Sequence, residues 1–351
     1  MLSLIHISKL VVIIDEAQFV AKRDASFMEA VAKLKKHKLY PGPVLIILAT
    51  SSTVWATQEA AEQFKGAEMK LESLNFLEVV RHFESLPVAE IVRIYGAIGG
   101  VPAYLDKWDA SKSFKDNICR LVLTPSGALY GEADAVISAE LRELSAYSTI
   151  LAAIARGENK LNDIFHATGF SRAKISVYLK NLANFNIVEK VVSFETGGWE
   201  NAKKGVYQIK DTFVNFWFKF VYPNMSNLYL LSPEEFYDTY IEKELDAYLE
   251  RYFREVCTEY LLILNQMGQL PFTIKRVGTW IGKTGRIDIV AQSEDRRSII
   301  GFCNWDKPMM TMDMCENMAM AMDQARLTSD DYYLFSATDF EPALQSYVVR
   351  D

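Results

Sequence analysis

Val11-Val12-Ile13-Ile14-Asp15-Glu16 is a short, mostly β-branched run that ends in two carboxylates. A run of this length without polar alternation asks to be buried on both faces, and strands of that kind belong to parallel sheets. A parallel partner needs a crossover, and one follows. Phe27 to Lys38 is rich in Ala, Leu and Lys and predicts a helix. Pro41-Gly42-Pro43 breaks it, and Val44-Leu45-Ile46-Ile47-Leu48-Ala49 is a second apolar run. Strand, helix and strand at this spacing predict a βαβ unit. The polar ends of the two runs, Asp15-Glu16 and Thr50-Ser51-Ser52, then lie side by side on the carboxyl edge of the sheet, where α/β folds bind ligands. Ser51 is there a candidate sensor of a terminal phosphate. Its other reading is a helix cap.

The chain of 351 residues is long enough for two or three domains, and its 50% hydrophobic and 24% charged content is that of a soluble globular protein. No apolar stretch approaches the roughly eighteen residues of a membrane helix, and no membrane partner is expected. Met1 to Ser8 lacks the basic region and small-residue cleavage site of a signal peptide. Cys119, Cys257, Cys303 and Cys315 form no C-x-x-C pair, which argues against zinc and for a reducing, cytoplasmic setting. A net charge of −7 argues against a chain that coats nucleic acid along its whole length and says nothing about local basic patches.

Residues 75–125 read as helical, with breaks at Pro87 and at Gly99-Gly100-Val101-Pro102. Residues 139–200 carry a helix-turn-helix pattern. Leu151, Ile154 and Ala155 mark one helix face, Leu161, Ile164 and Phe165 a second, and Gly169-Phe170-Ser171 the turn. A third helix, Ser171 to Asn184, places Ile175, Leu179 and Leu182 inward and Arg172, Lys174 and Lys180 outward. Ile187 to Val192 and Val206 to Ile209 read as the two strands of a wing, joined by a polar loop with Lys203 and Lys204. In a winged helix the third helix enters the major groove of duplex DNA and the wing touches phosphates. Arg172, Lys174, Lys180, Lys203 and Lys204, with Lys160, are therefore candidate DNA contacts. The alternatives are a module used for protein docking and an ordinary solvated face. Asp211 to Pro223 is aromatic and reads as core rather than a base-stacking platform. A last α/β segment comprises a helix from Glu242 to Leu264, a strand from Phe272 to Trp280, a hairpin of Arg286–Ala291 with Ser298–Trp305, a methionine-rich helix and a strand at Tyr332–Phe335. The methionines read as adaptable packing rather than a metal site.

Ile14-Asp15-Glu16-Ala17-Gln18 is similar to a Walker B strand. Gly99-Gly100-Val101-Pro102-Ala103-Tyr104-Leu105 is similar to a lid signature. Tyr207-Gln208-Ile209-Lys210-Asp211 runs into Phe216-Trp217-Phe218-Lys219-Phe220, and the hairpin with Ile287-Asp288 follows. In this order the four segments resemble the archaeal-type ATPases, AAA+-related P-loop proteins with a winged helix and a nuclease-like C-terminal domain. The resemblance implies an α/β fold: a partial P-loop core over residues 1–74, a helical lid over 75–136, a winged helix-turn-helix over 137–225 and a degenerate PD-(D/E)xK nuclease-like domain over 226–351. It implies ATP and Mg²⁺ as cofactors, with Asp15 holding the metal, Glu16 polarising the attacking water and Ser51 sensing phosphate. It leaves oligomerisation open.

The departures from the family shape the functional expectation. The phosphate-binding loop G-x-x-x-x-G-K-[ST] occurs nowhere in the chain, and Met1 to Ser8 match nothing in the family pattern. The chain reads either as the C-terminal part of a larger ATPase or as a degenerate relative. The family's Gly-Arg before the lid is replaced by Lys65-Gly66-Ala67-Glu68. In the nuclease-like domain Glu255 and Asp288 fit carboxylate positions, but the Glu-x-Lys position reads Phe302-Cys303-Asn304. Phenylalanine cannot bind a metal and asparagine carries no positive charge, so phosphodiester cleavage is not expected. Asp288 has a structural alternative, an ion pair with Arg286 or Lys275. The reading is a nucleotide-driven switch that binds and hydrolyses ATP poorly on its own. The alternative is a non-catalytic DNA-binding or scaffold protein.

Overall fold

The computed structural model of the chain describes residues 10–36, 43–52, 55–64, 66–138, 141, 143–194, 205–282 and 285–345. The chain divides into two compact units, residues 1–72 with 180–185, and residues 73–179 with 186–351. Mixed α/β structure with a parallel strand pair is present, as expected.

In the first unit β1 (Leu10–Ile14) and β2 (Val44–Leu48) pair in parallel, in register from Leu10 opposite Val44 to Ile14 opposite Leu48. The crossover holds two helices rather than one, α1 (Ala17–Arg23) and α2 (Phe27–Lys36). Burial on both faces, the expectation for these runs, is not met among the described residues. Val11, Ile13 and Leu45 are 52%, 65% and 56% exposed. The short helices of this unit, Ala17–Arg23, Phe27–Lys36 and the helical stretch Trp55–Phe64, have too little surface to cover both faces of a parallel pair.

The second unit begins with α3 (Phe76–His82), where Asn75 and Glu78 form a reciprocal capping box. Glu259 also accepts the Phe76 and Leu77 N–H groups, each at 3.0 Å. Next comes α4 (Val88–Ile98), which follows Pro87 and ends at Gly99 with φ +68°. A left-handed residue after a helix favours glycine because a Cβ is strained there. Gly100 meets a different demand. Its carbonyl accepts the Leu74 N–H at 2.8 Å, and a Cβ on it would lie 1.9 Å from the Leu74 carbonyl oxygen. Pro102 then starts a short helix, Pro102–Leu105. The Gly-Gly-x-Pro signature is thus backbone packing. Gly100→Ala is expected to cost about 1–3 kcal/mol through forced displacement of the backbone at Leu74. Gly66→Ala, with nothing near the added methyl, is the control in the same melting experiment.

Three helices follow, α5 (Leu144–Ala155), α6 (Leu161–Thr168) and α7 (Arg172–Asn184), whose last turn from Lys180 is counted with the first unit. Gly169 ends α6 with φ +68°. Ile175, Leu179 and Leu182 are buried, and β3 (Val188–Val191) pairs antiparallel with β4 (Val206–Ile209). The aromatic segment is helical over Thr212–Val221. Phe213, Phe216, Trp217, Phe218 and Phe220 are each 1% exposed or less, so the reading of this run as core holds.

The C-terminal part holds the long helix α8 (Glu242–Gln266) and a four-stranded mixed sheet. Its strands are β5 (Arg276–Ile281), β6 (Arg286–Gln292), β7 (Ser298–Asn304) and β8 (Asp331–Ser336), adjacent in that order. β5, β6 and β7 are antiparallel neighbours, and β7 and β8 are parallel. The crossover is the methionine-rich helix α9 (Met312–Ala325). Its Met318, Ala321, Met322 and Ala325 pack on Trp280, Ile287, Val290 and Ile300. Those methionines are packing, as the sequence suggested.

Candidate functional site

The parallel register of β1 and β2 brings three sequence-picked residues together at one edge. Ile14 accepts the Ala49 N–H and Ala49 accepts the Ala17 N–H, at 2.9 and 3.0 Å. This zips the strand ends and sets Glu16 beside Ser51. Ser51 Oγ donates to Glu16 Oε2 at 2.8 Å. Gln18 Nε2 donates to the same oxygen and, at 3.1 Å, to Ser51 Oγ. Thr50 Oγ1 donates to Gln18 Oε1 at 2.6 Å. Next to Ser51, Ser52 Oγ accepts the Trp55 N–H at 3.3 Å.

Glu16 sits at φ 46°, ψ 44°. A glutamate held in left-handed backbone is uncommon and persists only where its surroundings fix it. Gln18 first, and then Ser51, hold its carboxyl below the usual carboxylate range by donating to the charged form. The stabilisation from these bonds is therefore present above the ordinary carboxylate range and is lost as pH falls through the lowered value. Ser51→Ala is expected to move the Glu16 titration upward, and Gln18→Ala to move it further. The side-chain carboxyl shift followed by NMR against pH reads both.

Asp15 is exposed at the strand end. Its Oδ1 accepts the Glu16 N–H at 2.9 Å, and its other oxygen has no partner among the described residues. One solvent-facing carboxylate suits Mg²⁺, which keeps most of its waters and takes phosphate oxygens for the rest. Among the described residues no group of three or more His, Cys, Asp or Glu side chains is placed to hold a metal by itself.

The second candidate lies where β6 and β7 splay apart. Their ladder runs from Gln292–Ser298 to Ile289–Gly301. Beyond it the Asp288 side chain bridges the fork, with Oδ2 accepting the Cys303 N–H at 3.2 Å. Asp288 Oδ1 pairs with Arg254 of α8 at 3.2 Å and with Arg286 at 3.1 Å. Of the two alternatives for Asp288, Arg286 is thus realised and Lys275 is not; Arg254 is a partner that the sequence reading missed. Glu255 is not brought to Asp288. It pairs with Arg251 at 2.8 Å, and Arg251 also donates to the Ile209 carbonyl. The helix residues near Asp288 are Glu250 and Arg254, one helical turn apart; burial raises the Glu250 carboxyl, with Asp306 adding to the shift. At the Glu-x-Lys position Phe302 packs into the core beneath α9, and Asn304 Nδ2 donates to Ser336 Oγ at 3.0 Å. A carboxylate with both oxygens committed to cations and an amide has no room for a metal without breaking those bonds.

The α7 cations are partly engaged. Arg172 donates to Asn162 Oδ1 at 2.5 Å and lies 4.0 Å over the Phe165 ring. Lys174 lies over Phe170 and Tyr178 at 4.5 and 5.3 Å. Lys180 is exposed. Lys203 and Lys204 lie outside the described residues.

Residues 217–318 match a family, DUF234, described as archaea bacterial proteins of unknown function. That segment includes Arg254, Asp288 and Phe302. An uncharacterized protein of Methanocaldococcus jannaschii is 28% identical over 303 residues, 84% of this chain and 67% of that protein. Among solved structures, the Walker-type ATPase paby2304 of Pyrococcus abyssi aligns with a TM-score of 0.39 at 17% identity. The alignment covers 60% of this chain and 63% of that one, less than two thirds of its length.

Proposed function

We propose that the carboxyl edge of β1 and β2 is the metal- and water-handling half of an ATP site. The observation that carries this is Glu16, held in left-handed backbone with its carboxylate tied across the strands to Ser51. When bound, Mg²⁺ would offset charge on the phosphates. Asp15 offers the exposed oxygen that would hold it. Glu16, kept ionised by Gln18 and Ser51, can accept a hydrogen bond from an attacking water and polarise it. Ser51, with its hydroxyl on Glu16, can exchange that bond for one to a terminal phosphate oxygen and so report its presence.

Phosphate affinity in such sites comes mainly from backbone N–H groups and the lysine of a glycine-rich loop. These 351 residues contain no G-x-x-x-x-G-K-[ST], so the chain alone binds ATP weakly and turns it over negligibly in this reading. In the switch that we propose, nucleotide at this edge acts on a winged helix formed by α5–α7 with β3–β4. It also acts on a nuclease-like domain of α8, the mixed sheet and α9, whose Asp288 is occupied by arginines and does no cleavage.

Mn²⁺·ATP titrated into labelled protein tests the site at low affinity. Amide signals of Glu16–Gln18 and Thr50–Ser52 are expected to broaden, and Asp15→Asn to abolish the effect. Signals that stay sharp, or broadening indifferent to Asp15→Asn, would overturn the reading. Steady turnover lost in Glu16→Gln would instead overturn the claim of negligible hydrolysis.

A further inference from the structure

At the end of the C-terminal sheet where β5 begins and β6 ends, Lys275, Arg276, Arg296 and Arg297 stand among Glu294, Asp295, Asp330 and Asp331. A cavity of about 410 Å³ lies there, lined by Lys275, Arg276, Gln292, Ser293, Glu294 and Arg296. Three cations face one carboxylate, and no apolar side chain lines it. Small-molecule pockets and protein hot spots are built around apolar or aromatic anchors; a purely polar, cationic hollow suits phosphate. The cations are available. Lys275 and Arg296 have no side-chain partner among the described residues. Arg276 stacks over Phe194 at 4.8 Å, which orients the guanidinium and leaves N–H groups at its edge. The adjacent Arg297, by contrast, is taken up by Asp295 at 3.0 Å and by the face of Phe272 at 4.7 Å.

Arg296 supplies an independent sign. It sits in the β6–β7 turn at φ +68°, a conformation for which glycine or asparagine is the ordinary choice. The turn that holds it is closed by buried Ser293: its N–H donates to the Arg297 carbonyl at 3.0 Å, and its Oγ accepts the Arg297 N–H at 3.0 Å. Glycine would relieve this strain, so the cation is held beside the hollow at a cost to the turn.

We infer that this end of the sheet binds the phosphodiester backbone of a nucleic acid, with Lys275, Arg276 and Arg296 each neutralising a phosphate. The inference is independent of the ATP site and of the α7 cations. Binding of a fluorescein-labelled duplex of about twenty base pairs, followed by anisotropy between roughly 50 and 200 mM salt, tests it. The triple variant Lys275→Gln, Arg276→Gln, Arg296→Gln is expected to bind about tenfold more weakly at low salt. Its slope of log affinity against log salt becomes shallower by about 2.7, from three contacts at about 0.9 each. Arg296→Gly alone is expected to make the slope shallower by about 0.9 while leaving the melting temperature unchanged or higher. No duplex binding by the wild type, or an unchanged slope in the triple variant, would overturn the proposal. Binding of polyglutamate but not duplex would assign an acidic protein partner and overturn it as well. A lower melting temperature in Arg296→Gly would make that arginine structural.

Discussion

Asp288→Ala is expected to destabilise the second unit by about 3–5 kcal/mol, read as a lowered midpoint in chemical denaturation. Asp288 and Arg254 are only 13% and 12% exposed in their side chains. Removing the carboxylate leaves the Arg254 guanidinium buried against α8 without its hydrogen-bonded counter-charge, and burial already lowers its pKa. It also removes the acceptor of the Cys303 N–H at the strand fork. The Arg286 side chain, 43% exposed, can turn to solvent and adds little. The sign is diagnostic. In a metal-binding carboxylate cluster, removing one member relieves repulsion in the metal-free protein and raises stability. Here it lowers stability, because the carboxylate is already neutralised by protein cations. Pairing Asp288→Leu with Arg254→Met is expected to recover most of the loss, since an apolar pair avoids the desolvation of both charges. A double variant as unstable as Asp288→Ala would show that the Cys303 hydrogen bond, not the ion pair, holds the fork.

Why Glu255 was picked from sequence and Arg254 was not is a matter of helix phase. Two i,i+4 pairs of opposite charge lie side by side on α8, Glu250 with Arg254 and Arg251 with Glu255. Neighbouring residues on a helix differ by about 100° in direction, so only one pair can face the sheet. The buried stripe Leu249, Phe253 and Cys257 carries that phase, yet it flanks both pairs and does not decide between them without the position of β6. The parallel register of β1 and β2 was legible, because two apolar runs around a crossover admit few topologies, and Ser51 fell beside Glu16 in consequence. The left-handed backbone of Glu16 was not legible, since glutamate has no preference for it; it accompanies the closure of Ala17 onto Ala49 and the bonds of Glu16 to Asp15, Gln18 and Ser51. The same limit hid Arg296. In both cases tertiary geometry overrides a local preference, and in both the residue lies at a proposed ligand site.

Trp217→Ala is expected to cost about 3–5 kcal/mol, the range for emptying a buried aromatic site. Trp217 is 1% exposed, edge-on to Tyr130 at 6.1 Å, and it lies within the run of rings from Phe213 to Phe220. Cavity formation dominates the loss, because neighbouring rings cannot collapse into the space without leaving their own rotamers. Trp217→Phe separates packing from polarity. The indole Nε1 is buried with no hydrogen-bond partner among the described residues, a deficit of about 1–3 kcal/mol in the wild type. Phenylalanine keeps most of the ring and removes that orphaned donor, so its net cost is expected near 1 kcal/mol or less, well under the alanine value. Urea midpoints for the three proteins decide this, with single-stranded oligonucleotide binding measured on each. A stacking platform would lose binding in Trp217→Ala and keep its stability, whereas a core residue loses stability and leaves oligonucleotide binding, per folded molecule, where it was.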